Sequence, residues 1–251
     1  MDLRLKNKTA LVTGASMGIG RAIAKGLAAE GVRLCIAARR RESLEQVAKD
    51  IVTAGGVEPH IEIVDVMEDG APQRLARAAE KALGQIDILI NCAGGSRPPI
   101  PIGAPEDEWT DVMTLNFIRV RQLTHAALPG MMERKWGRVV NITGKSEPDG
   151  LLAATPAKAA MHGWSKGLSR EVGKFGITVN CIPPGRIMSE QIRRKYSAEF
   201  RARQSAEEIP VGRYGEPEEL AALAVFLSSP VASYITGTVM PVDGGLRRYA
   251  F

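Results

Sequence analysis

Tyrosine is scarce in this chain of 251 residues. There are four, Tyr196, Tyr214, Tyr234 and Tyr249, and none stands between Met1 and Lys195. Cysteine is as sparse. Cys35, Cys92 and Cys181 lie far apart in apolar stretches, which excludes a disulfide framework and suits small buried hydrophobes in a reducing compartment. The three histidines, His60, His125 and His162, have no partner at metal-ligand spacing, so no metal is expected. No apolar run approaches the length of a membrane span. The basic opening segment lacks the apolar core and cleavage site of a signal peptide. Long basic stretches with interleaved aromatics are also missing, which argues against a nucleic-acid surface. These absences lead us to expect a cytoplasmic protein without metal, membrane or nucleic-acid partners.

What is present is ordinary globular material: 45% apolar residues, 24% charged and a net charge of +5. Short apolar runs at 9–13, 33–37, 58–64, 86–91, 138–143, 178–182 and 239–242 read as strands. Amphipathic stretches at 19–30, 42–54, 72–83, 106–135, 151–175 and 216–228 read as helices. Such alternation predicts an α/β fold with a parallel sheet covered by helices on both faces. With no Pro/Ser linker, residues 1–251 are read as one dinucleotide-binding domain. A polar, basic segment at about 189–214 interrupts the alternation and is expected to be a substrate lid.

The first strand runs into Thr13-Gly14-Ala15-Ser16-Met17-Gly18-Ile19-Gly20, where a helix begins. Gly14 permits a tight turn, Gly18 lets backbone approach a pyrophosphate, and Gly20 lets the helix close on the strand. The helix N-terminus then offers unpaired N–H groups to the phosphates. Strand before and helix after supply the context that a glycine triplet needs. The second strand ends in Ala38-Arg39, without the carboxylate that would hold a ribose 2′-hydroxyl. A guanidinium there suits a 2′-phosphate, so NADP is expected in preference to NAD.

The spacing T-G-x-x-x-G-I-G resembles the opening motif of the short-chain dehydrogenase/reductase family. Asn91-Cys92-Ala93-Gly94 is similar to its N-N-A-G segment. Asp65-Val66 resembles its adenine-facing acidic site, Asn116 its structural and catalytic asparagine, and Pro184-Gly185 through Ile187 to Ser189 its nicotinamide loop. Ile235-Thr236-Gly237 and Val242-Asp243-Gly244-Gly245 match its C-terminal motifs. The resemblance spans essentially the whole chain. It implies a Rossmann-type doubly wound sheet of seven strands in the order 3-2-1-4-5-6-7, and a homotetramer or homodimer. It also implies cofactor contacts at Gly14, Ser16, Met17, Gly18, Ile19, Gly20, Arg39, Asp65, Val66, Asn91, Ala93, Gly94, Lys158, Pro184, Gly185, Ile187 and Ser189.

In that family a tyrosine gives the proton to the developing alkoxide, a lysine four residues later lowers the tyrosine's pKa, and a serine ending the fifth strand holds the carbonyl oxygen. Lys158 stands at the lysine position. Ala154 stands where the tyrosine belongs and Gly144 where the serine belongs. No misalignment restores the phenol, because no tyrosine is near. The candidate catalytic residues are therefore Lys158, Asn116, Lys145 and Ser146, with Thr143, His162 and Tyr196 as further polar groups in reach. Lys145 in its polar loop, with Arg186, Arg193 and Arg194, suits an anionic substrate. The expected activity is NADP-dependent oxidoreduction of a small hydroxy or keto compound with a non-standard proton donor. A repurposed lyase, decarboxylase or isomerase, and a non-catalytic nucleotide-binding subunit, remain open alternatives.

Overall fold

The structure, a computed structural model, describes residues 1–95, 105–144 and 151–248. β1 (Thr9–Thr13), β2 (Arg33–Ala38), β3 (His60–Ile63), β4 (Ile88–Asn91), β5 (Gly137–Ile142) and β6 (Ile177–Ile182) form one parallel sheet in the order β3-β2-β1-β4-β5-β6. Successive side chains leave opposite faces of a strand, and both faces are covered. Val12, Ile36 and Ile90 pack with Ile23 and Leu27 of α1 (Gly18–Ala29) and Leu220 of α9 (Pro217–Leu227). Their neighbours Leu11, Cys35 and Leu89 pack on the other face with Leu75 of α3 (Ala71–Leu83) and Leu123 and Met131 of α5 (Arg119–Glu133). Continuous apolar runs, rather than alternating ones, are what a doubly covered parallel sheet requires. α2 (Arg41–Thr53), α4 (Glu106–Met113) and α6 (Ala154–Val172) complete the strand–helix alternation.

Three expectations change. The sheet has six strands, not seven. Residues 239–242 run parallel to β6 and its continuation but touch them only through the isolated bridges Cys181↔Val239 and Pro184↔Val242. Pro183, Pro184 and Pro241 interrupt that edge, and a residue without an N–H cannot extend a ladder. The stretch 106–135 is not one regular helix: a π-helical turn, Thr114–Ile118, separates α4 from α5. The insertion at 189–214 contains α7 (Glu190–Lys195) and α8 (Ala198–Glu208), each started by a serine. The hydroxyls of Ser189 and Ser197 accept from the amides of Ile192 and Phe200, both at 3.2 Å, satisfying N–H groups that a helix start leaves open.

Candidate active site

The β1–α1 turn is built from backbone crowding. A Cβ on Gly20 would stand 2.2 Å from the carbonyl oxygen of Gly14, and one on Gly14, whose φ is +66°, would meet the backbone of Cys92 and Ala93 at 2.9 Å. Thr13 clamps the same junction. Its Oγ1 accepts from the amides of Cys92 and Ala93, both at 3.1 Å, and donates to the Ile90 carbonyl at 3.2 Å. At the start of α1, Met17 makes no side-chain cap and the first turn carries no acidic residue. No side chain of α1's own first turn serves its N–H groups; the Glu190 carboxylate, from the insertion, lies against the Gly18 amide, and the other first-turn amides suit an anion.

A cleft of about 930 Å3 opens over this turn. Ser16, Met17, Gly18, Ile19 and Gly20 line its floor with Gly14, and Ala93 and Gly94 its inner end. Arg39, Asp65 and Val66 line the far end. Arg39 is largely exposed, with its Nη1 3.8 Å from Asp65 Oδ2, and so keeps most of its donors for another acceptor. Arg40 also lines the cleft, and its Nη2 lies 3.4 Å from the Met17 sulfur. Ile187, Ser189 and Arg194 reach the cleft from the insertion. That insertion is tied to α1 by an ion pair of 2.7 Å between Arg21 and Glu190.

A second cleft, of about 460 Å3, adjoins the first. Ile19, Cys92 and Gly94 line both, so the two spaces meet at the C-terminal ends of β1 and β4, the usual place for ligands in an open α/β sheet. Lys158, Pro184 and Gly185 belong to the second cleft. Gly185 has no room for a side chain, since a Cβ would stand 2.5 Å from the Cα of Asp243. Lys158 projects from α6, and its Nζ donates to the Ile142 carbonyl at 3.3 Å. Burial, opposed by nearby Cys92 and Cys181, lowers its pKa to about 8. Ala154 and Gly144 line the same space. Among the described tyrosines, none lines either cleft. Tyr196 stacks on Phe200 at 4.9 Å, Tyr214 is buried donating to Gln204, and Tyr234 is fully exposed. Lys145 and Ser146 lie outside the described residues.

Two asparagines act beneath the clefts and line neither of them. Asn116 is buried in the π turn. Its Oδ1 accepts from the Gly95 amide at 3.1 Å and its Nδ2 donates to the Val112 carbonyl at 3.0 Å. A π turn frequently marks a functional site, and here it carries one amide across to the β4 loop. A Cβ on Gly94 would lie 3.0 Å from Asn116 Oδ1 and 3.2 Å from Lys158 Nζ, so this glycine keeps both polar groups close to the β4 loop. Asn91 donates to Thr124 Oγ1 at 3.0 Å and Asn141 Oδ1 at 2.8 Å. The chain continues from Asn141 to Ser165 at 3.0 Å, and Cys181 reaches the same hydroxyl at 3.2 Å. Its place is under the sheet ends, where it ties β4 to β5. Replacing Asn116 with alanine leaves the Val112 carbonyl and the Gly95 amide without partners, and should lower stability by about 2 kcal/mol. Urea denaturation checks this, and an unchanged midpoint would deny the asparagine its bridging role.

The sequence points to Thr143 and His162 but not to Thr155 or Arg247. Thr143 lines the second cleft, and its Oγ1 lies 2.8 Å from His162 Nε2. Burial, then Arg247, then Lys158 lower the His162 pKa to about 4, so this imidazole is neutral near pH 7. Thr155 and Arg247 also line this cleft. Arg247 belongs to no motif of the sequence. The signal that finds it is Asp243, which accepts from the amides of Gly245 at 2.9 Å and Arg247 at 3.1 Å and so curls the chain back.

Residues 14–247 match the family described as Enoyl-(Acyl carrier protein) reductase. The chain is 37% identical over 247 residues to 3-oxoacyl-(acyl-carrier-protein) reductase FabG of Pseudomonas aeruginosa, covering 97% of this chain and 99% of that protein. It is 33% identical to the Aquifex aeolicus protein of the same name, covering 98% and 100%. Among solved structures it resembles YwfH, an NADPH-dependent reductase involved in bacilysin biosynthesis, with a TM-score of 0.91 and 30% identity over 96% of this chain and 99% of that one. It also resembles Pseudomonas aeruginosa RhlG in an NADP active-site complex, with a TM-score of 0.89 and 34% identity over 97% and 98%.

Proposed function

The chain belongs to the short-chain dehydrogenase/reductase family, and on that premise we propose that it is an NADP-dependent oxidoreductase acting on a small hydroxy or keto compound, with Lys158 as the proton donor. The observation that carries the reading is the meeting of the two clefts at Ile19, Cys92 and Gly94, with Lys158 Nζ on the far side of that junction.

The first cleft fits a dinucleotide: a glycine turn that a single Cβ would fill, a helix whose own first turn carries no capping or acidic side chain, and exposed arginines at the ribose end. Gly14 through Gly20 would hold the pyrophosphate, Arg39 and Arg40 the 2′-phosphate, Asp65 and Val66 the adenine side. Ala93, Gly94, Pro184, Gly185, Ile187 and Ser189 would line the nicotinamide end. When bound, the cofactor supplies a hydride. The protein's own part is to exclude water, orient the carbonyl and neutralise the oxygen that gains charge. Lys158 can do the last. An ammonium with a pKa of about 8 is well matched to general acid work near neutral pH. Thr143 and Thr155 offer hydroxyls to orient the carbonyl oxygen in place of the missing serine.

The test is NADPH oxidation dependent on added ketone. Product without change in nicotinamide absorbance would replace this reading with a lyase or isomerase, and tight NADPH binding with no turnover on a broad panel would replace it with a binding subunit. Arg39→Ala is expected to weaken NADPH binding by about 10- to 100-fold, the worth of a charge-assisted contact, with little effect on NADH. Equal effects on the two cofactors would remove Arg39 from the 2′-phosphate. A homodimer or homotetramer belongs to the same reading. Gly163 and Gly167 stand on α6 with open space where a Cβ would lie, which gives a second copy a flat face, and sedimentation measures it.

A further inference from the structure

Three cations from three distant segments line the second cleft: Lys158 of α6, Arg186 after β6, and Arg247 near the C-terminus. Among the described residues the carboxylate that lines it is Asp243, which accepts from the amides of Gly245 and Arg247. Arg186 is incompletely satisfied. Its Nη2 lies 3.4 Å from Glu208 Oε2, while its Nε is enclosed and does not open onto the cleft. Glu208 is shared, since its Oε1 also accepts from Gln204 at 3.0 Å. A guanidinium carries five N–H donors, so one long contact from Nη2 leaves others for a second acceptor. Apolar Leu152, Pro183 and Leu246 form other parts of the wall. The volume of about 460 Å3 suits a small molecule.

We propose that this cleft takes a short keto acid, with its free carboxylate held by Arg186 and Arg247 and its ketone oxygen turned to Lys158. The proposal rests on the reductase reading and adds a substrate class to it. A carboxylate accepts the fork of a guanidinium at two oxygens, and charge-assisted pairs are about twice as strong as neutral ones. A thioester or ester offers no such charge, so the cleft sorts free acids from acyl groups on a carrier. The reaction is unaltered by this assignment: the ketone carbon gains the hydride, its oxygen gains the proton, and the carboxylate passes through unchanged into the hydroxy acid.

The experiment uses the full chain with NADPH and a panel of short keto acids, acetoacetate and α-ketobutyrate among them, each beside its methyl ester. The acids are expected to win in kcat/KM by about 10- to 100-fold, the range for a hydrogen bond to a charged group. Arg186→Met and Arg247→Met should each raise KM for the acid and collapse the acid-to-ester ratio, and Arg247→Lys should restore part of it. NADPH binding by fluorescence confirms that each variant is folded. Esters turned over as well as acids, or a ratio that neither variant moves, would overturn the acid assignment while leaving the reductase reading intact. If NADPH binds and no ketone of either kind consumes it, both readings fail together.

Discussion

Lys158→Met is expected to lower kcat for ketone reduction by about 10²–10⁴-fold, the usual contribution of a positioned general acid. The expectation follows from what surrounds Nζ. Burial holds its pKa down to about 8 and its donor contact is the Ile142 carbonyl at 3.3 Å, so the ammonium keeps donors for a substrate oxygen. The sign of the pH dependence follows. Reduction needs the protonated amine, so kcat should be full below about pH 8 and fall as pH rises through that value. Oxidation of the alcohol needs the free amine and should rise over the same interval. In the methionine variant both inflections should vanish. Lys158→Arg keeps the charge but binds its proton too firmly to release it near neutrality, so it should fail almost as badly. NADPH affinity separates this role from simple ribose binding. A loss confined to cofactor affinity, with the pH profile intact, would remove Lys158 as the acid.

The largest effect on stability is expected at Arg138. It is the bulkiest of the fully buried side chains, at 1% exposure, and burial lowers its pKa to about 10. Its partners are backbone carbonyls: Nε donates to Ser229 at 3.1 Å, and Nη1 to Gly137 at 2.8 Å and Gly176 at 3.0 Å. Ser229 follows the end of α9, and Gly176 closes the 3-10 turn after α6. A cation is thus held among backbone carbonyls just past α9, at the start of β5 and at the C-cap of the 3-10 turn, where the negative end of a helical dipole favours it. The ring of Trp136 lies 4.5 Å from the guanidinium, a further favourable contact for a cation. Arg138→Met keeps much of the volume but removes the guanidinium's bonds to Gly137 and Gly176 and leaves Ser229 with the Ala232 amide as its donor, and is expected to cost about 2–4 kcal/mol, the range for losing hydrogen bonds to a charged group. Urea denaturation would register it as a lowered midpoint with an unchanged slope. A midpoint within error of the parent protein would show that these carbonyls find other partners.

Much of the first cleft was legible before any coordinates. The turn at Gly14–Gly20 depends on contacts a few residues long, so its glycine spacing announces it. Asp65, Val66, Ile187 and Ser189 were found by the family motifs, and all line the cleft. Asn91 shows the limit of motif reading. The motif marks it as a cofactor contact, but the packing of β4 against β5 and α5 spends its amide on Asn141 and Thr124, and it lines neither cleft. The seventh strand failed for a local reason that the sequence did display, the prolines at 183, 184 and 241, whose missing N–H groups outweighed the apolar pattern.

By itself the sequence determined the strand–helix alternation, the glycine cradle and the alanine in place of a tyrosine four residues before Lys158, because each is a property of residue types at short spacing. The tertiary structure alone decided the acidity of Lys158, since desolvation sums over atoms from many segments. It alone also brought Arg186 and Arg247 to one cleft across about sixty residues of chain. Charges that far apart in sequence meet only through the folding of the segments between them, and no local pattern records that meeting.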